Sequence, residues 1–147
     1  MRGARAAFLL LPGACVAPAP DPGSPPVLAG PVVPEGARIQ ESAAGSFLVA
    51  WRSDPAAVPR GKPFAIEAWV FDAARGGSAL EDVELHVDAE MPQHGHGMAR
   101  VPVLTRTGPG SFRAEGLYFH MPGEWQLHLD VTRGAWTERA QVALEVE

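Results

Sequence analysis

Between positions 46 and 147 the chain alternates apolar and polar residues in short runs, and turn residues interrupt these runs at intervals near ten. Side chains on a strand point to opposite faces in turn, so a period of two predicts strands with one face buried and the other wet. The pattern predicts seven strands, over residues 46–52, 63–71, 83–90, 99–105, 111–119, 125–132 and 137–146. In the third, Val83, Leu85, Val87 and Ala89 alternate with Glu84, His86, Asp88 and Glu90. In the sixth, Trp125, Leu127, Leu129 and Val131 are expected inside, with Gln126, His128 and Asp130 in water; Val142, Leu144 and Val146 carry the inner face of the last. No stretch of helical length has an apolar stripe of period 3.6, and Gly- or Pro-containing turns at 73–77, 107–110 and 133–134 break any candidate helix. Seven strands in about 100 residues predict an all-β fold, an immunoglobulin-like antiparallel sandwich.

The first 45 residues have a different texture. Met1-Arg2-Gly3-Ala4-Arg5 precedes an apolar run from Ala6 to Leu11 and then Pro12-Gly13-Ala14-Cys15, the layout of a secretory signal. The run is too short for a membrane span, which needs about 20 apolar residues. Cys15 is the only cysteine, and small residues before a lone cysteine at the end of an apolar segment resemble a bacterial lipobox, in which the thiol is acylated, with Pro12 where lipoproteins usually carry Leu; the alternative is a cleaved signal whose cysteine is incidental. Residues 16–45 are dense in Pro, Ala and Gly, which removes backbone donors and denies a regular apolar period. The expected organisation is a signal segment over 1–15, a tether over 16–45 and one domain over 46–147. The expected location is the periplasm or cell envelope, with a membrane anchor at Cys15.

Composition narrows the function classes. With 46% hydrophobic and 20% charged residues the chain is ordinary for a globular protein. Its net charge of −5, from 17 acidic and 12 basic side chains spread along the sequence, disfavours nucleic acid as a partner. No Gly-x-Ser-x-Gly elbow, His-Glu-x-x-His, Walker or dinucleotide fingerprint is present, so no catalytic residues are expected.

The chemistry concentrates in two short segments. Met91-Pro92-Gln93-His94-Gly95-His96-Gly97-Met98 and His120-Met121-Pro122-Gly123-Glu124-Trp125 hold three of the five histidines and all three internal methionines. In extended backbone His94, His96 and Met98 project to one side, and the intervening glycines let the chain fold closely around what they grip. Imidazole nitrogen with thioether sulfur suits copper, in particular Cu(I), since soft sulfur ligands select it. Alternate connections of an antiparallel sandwich emerge at the same pole, so the loop carrying His94, His96 and Met98 and the loop carrying His120 and Met121 are expected to meet. The expected metal ligands are therefore His94, His96, Met98, His120 and Met121. Met91 keeps the inward parity of its strand and reads as core; His86 and His128 stand alone on predicted wet faces and read as non-ligands. Trp51, Trp69 and Trp125 read as core or rim aromatics.

The strand ending in Met91-Pro92, the His/Gly/Met turn, and Gly116-Leu117-Tyr118-Phe119-His120-Met121-Pro122-Gly123-Glu124-Trp125-Gln126-Leu127 resemble the YtkA-like domains of exported bacterial proteins, related in pattern to FixH-type proteins. The resemblance runs over roughly 59–147. In size and fold the chain is also similar to the CopC type of periplasmic copper carrier, without that group's histidine at the mature N-terminus. The resemblance implies an immunoglobulin-like fold outside the cytoplasm. It also implies a part in copper trafficking, resistance or oxidase assembly, with a membrane or periplasmic copper-handling protein as partner. The competing expectation is a metal-free accessory or adhesive sandwich module of the envelope.

Overall fold

The computed structural model describes residues 32–75 and 77–147; the signal segment, Cys15 and most of the tether lie outside this range. Ten strands follow in order: β1 Arg38–Glu41, β2 Phe47–Asp54, β3 Phe64–Asp72, β4 Ser78–Ala79, β5 Glu84–Met91, β6 His96–Gly97, β7 Val103–Gly108, β8 Ser111–Leu117, β9 Gly123–Arg133 and β10 Trp136–Val146. They form two antiparallel sheets packed as a sandwich. One runs β1-β2-β3-β8-β7 with β4 added to β3, and the other β10-β9-β5-β6. No helix occurs among the described residues.

Alternation explains the core. In β5 every second residue is buried, and Leu85, Val87, Ala89 and Met91 turn inward to meet Trp125, Leu127, Leu129 and Val131 of β9. Phe47, Val49 and Trp51 of β2, Ile66, Ala68 and Val70 of β3, and Phe112 and Ala114 of β8 close the core from the opposite sheet. The hairpin between β7 and β8 turns through Pro109-Gly110. Gly110 has a positive φ of 58°, and a Cβ there would lie 2.6 Å from the Val70 carbonyl oxygen, so only glycine fits.

The structure differs from the seven expected strands in three ways. First, three short edge strands are added, β1, β4 and β6. Second, the ladder begins at Arg38, inside the segment read as tether. All four β1 residues pair with β2 although its sequence has no apolar alternation. Backbone pairing and anchors hold it: buried Ser42 donates to Glu138 Oε2 at 2.7 Å and accepts from the Phe47 amide, and Arg52 donates to the Glu35 carbonyl at 3.0 Å. Third, the strand expected over 99–105 pairs only from Val103, because Pro102 has no N–H to give the ladder.

One side chain reverses its expected environment. His128 projects from the outer face of β9, yet it is only 4% exposed. β9 is a central strand, with Asp88 of β5 opposite His128 on one side and Gln141 of β10 on the other. Parity puts the ring outside the core; flanking side chains still cover it.

Candidate metal-binding pole

β5 ends at Met91, which is fully buried. The chain then reverses through Pro92-Gln93-His94-Gly95, with the His94 and Gly95 amides both donating to the Met91 carbonyl at 3.0 Å, and Gly95 supplying the positive φ of 64° that the turn needs. It re-enters the sheet as β6, where His96 pairs with Met91 and Gly97 with Glu90. Paired residues of an antiparallel ladder share a face. His96 therefore turns to the same side as Met91, over the open end of the core, and is half-buried there. Met98, two residues on, also packs against the core, and its amide donates to the Ala89 carbonyl at 3.0 Å. His94, at the turn, is exposed.

The second loop arrives from β8. Phe64 pairs with Leu117, and buried Phe119 stacks on Trp125 with ring centroids 4.5 Å apart and planes 10° from parallel. Trp125 is fully buried and donates its Nε1–H to the Met121 carbonyl at 3.0 Å, which fixes the loop above it. Half-buried Met121 packs against the core and His120 is exposed.

The two loops meet over this aromatic floor. The His96 ring lies 5.2 Å from the His120 ring and 5.8 Å from the His94 ring, so three imidazoles form a row. Trp125 meets both His96, at 6.1 Å, and His120, at 5.6 Å, edge to face. His96 Nδ1 is 3.2 Å from the Gly97 carbonyl; a proton on that nitrogen leaves Nε2 free as a donor atom to a metal. Arg100 lies over the Tyr118 ring at 5.1 Å and ties the outgoing strand of one loop to the other.

The three histidines singled out in the sequence thus meet at one pole, while Met98 and Met121, carried by the same two loops, pack against the core. The rim is open: among the described residues no three His, Cys, Asp or Glu side chains stand ready as a metal cage. The sequence did not reveal that Trp125 is the common floor for His96 and His120; its place four residues after Met121, at the head of an inward-facing strand, was the available signal.

A family model described as YtkA-like matches residues 57–130. No curated protein matches the chain. Among solved structures, one titled ZirS C-terminal Domain is similar at 11% identity, covering 97% of this chain and 86% of that one, with a TM-score of 0.40.

Proposed function

This chain belongs to the YtkA-like family, and from that membership and the row of imidazoles at its pole we propose that it is an exported, lipid-anchored copper carrier. Its cargo is Cu(I), received and released by ligand exchange with a partner protein of the envelope. The convergence of His94, His96 and His120 from two loops carries the reading. Metal–nitrogen bonds of about 2.0 Å place the centroids of two imidazoles on one ion roughly 5 Å apart, and the His96–His120 spacing of 5.2 Å suits that arrangement. Met98 and Met121 supply soft sulfur beside the nitrogen donors. An open rim suits a carrier, since exposed His94 and His120 can turn onto an ion and leave it without unfolding the sandwich.

Copper uptake tests the proposal. Competition of the purified full chain with a chromophoric Cu(I) chelator should show one equivalent bound, with Cu(II) and Zn²⁺ held more weakly at this pole. No uptake by the parent protein would leave the metal-free module as the better account. That second reading has its own support in β7, an edge strand beside which Val101 and on which Val103 are 86% and 68% exposed. The anchor is tested separately. Mass spectrometry of the membrane fraction should find a mature chain that begins at Cys15 and carries acyl mass.

A further inference from the structure

The segment that runs from β8 to His120 is flanked on both sides by cations that the row of imidazoles does not use. On one side Gly61 donates its amide to the Phe119 carbonyl at 2.8 Å and Arg60 bridges to Phe119, so residues 60–62 run beside the segment that ends in His120. On the other side, the ladder that pairs Val103 with Glu115 brings the chain leaving the first loop alongside, and Arg100 lies over the Tyr118 ring at 5.1 Å. Arg60, Lys62 and Arg100 are all exposed.

Elsewhere the cations are mostly neutralised. Among the described residues, Arg52, Arg75, Arg113, Arg133 and Arg139 each pair with a carboxylate, whereas Arg60, Lys62 and Arg100 meet none. At this end of the molecule Glu115 is taken by Arg113, and Glu90 and Glu124 alternate with inward residues and so face outward from the other sheet. One flank of the pole is therefore positive on a chain whose net charge is −5. Val101, 86% exposed, and Val103, 68% exposed, follow Arg100 closely and add apolar area to that flank.

We propose that this flank is a docking surface for an acidic segment of a partner protein, which pairs with Arg60, Lys62 and Arg100, packs on Val101 and so arrives beside His120. The purpose of the docking, copper exchange, rests on the carrier reading above; its chemistry does not. An acidic partner is repelled by the molecule as a whole and attracted at this flank, so the encounter is oriented before contact is made. Val101 supplies the apolar contact that charge alone lacks, as at the centre of protein interfaces. An anionic bilayer is the poorer fit. Lipid-binding segments gather about four to eight Lys or Arg, whereas here three cations stand on a chain that is otherwise acidic.

Binding of an acidic peptide in the absence of copper tests this surface apart from the copper reading. The full chain carrying Cys15→Ser, which cannot be acylated, should raise the fluorescence anisotropy of a labelled decaglutamate peptide at about 20 mM salt, and the binding should fade by about 0.5 M, where charges are screened within a few ångströms. Arg60→Gln with Arg100→Gln should weaken the binding at least fivefold. Arg38→Gln with Arg75→Gln removes the same charge from two other exposed places, the β1 edge and the turn after β3, and should change affinity less than twofold. Peptide binding by a parent chain that takes up no Cu(I) would keep the docking surface and remove copper as its purpose. Equal losses in the two variants, no peptide binding by the parent, or binding to phosphatidylglycerol vesicles and not to the peptide would overturn the proposal.

Discussion

Histidines at the pole and on the outer face share a side chain and little else. At the pole, His94 and His120 are exposed on short turns, with Trp125 edge to face with His120 and with Met98 and Met121 in the same two loops. On the face, His128 is locked into a central strand, covered by its neighbours and bordered by carboxylates. Exposed imidazoles in loops that also carry soft donors suit loading and release of Cu(I), whereas a ring covered on a central strand offers an ion no access. The difference teaches that the backbone element carrying an imidazole, more than the imidazole itself, decides what it can hold.

The floor beneath the pole is where the comparison breaks most severely. Trp125→Ala removes a fully buried ring that stacks on Phe119 and meets two rim histidines, so it should cost about 3–5 kcal/mol in urea unfolding and weaken Cu(I) binding with it. Changing the rim separates function from fold. His94→Ala with His96→Ala should weaken Cu(I) at least 100-fold, equivalent to about 2.7 kcal/mol, while stability falls by about 1 kcal/mol, since His94 is exposed and His96 only half-buried. A stability loss as large as that of Trp125→Ala would show that the rim belongs to the core.

The outer face responds to pH. Arg139 lowers the Asp130 pKa below that of the unfolded chain, so the pair's stabilisation is full above the ordinary aspartate value and is lost as pH falls through the folded value. Asp130→Asn should cost about 1 kcal/mol at neutral pH and flatten the acid limb of a thermal-melt series. A parallel drop in parent and variant would remove Asp130 from that account. Smaller still is His128→Leu, which exchanges an unpaired buried nitrogen for an apolar group of similar size. In the metal-free chain it should change stability by less than about 1 kcal/mol, in the stabilising direction, and leave Cu(I) affinity unchanged.

Much of the sandwich was legible in the sequence alone. The inner faces of β5 and β9 follow from strict alternation, because a one-residue error in register would expose every apolar side chain. The pole was legible too, since sulfur and imidazole cluster in two segments and antiparallel topology brings alternate loops to one end. What escaped was structure with little apolar area to announce it. β1 reads Arg-Ile-Gln-Glu and is held by backbone pairs, Ser42 and the Arg52–Glu35 bond; β4 and β6 are two residues each. His128 escaped for a different reason. Parity tells which face a residue occupies, but only sheet order shows that β9 lies between β10 and β5 and that its outer positions are covered.

The most direct test of the central claim, that the pole is a mixed nitrogen and sulfur site for copper, is X-ray absorption at the copper edge of the Cu(I)-loaded full chain. Imidazole nitrogen and thioether sulfur should both appear in the first coordination shell, with the sulfur lost in a variant carrying Met98→Leu and Met121→Leu. A shell of nitrogen and oxygen alone in the parent chain would contradict the account.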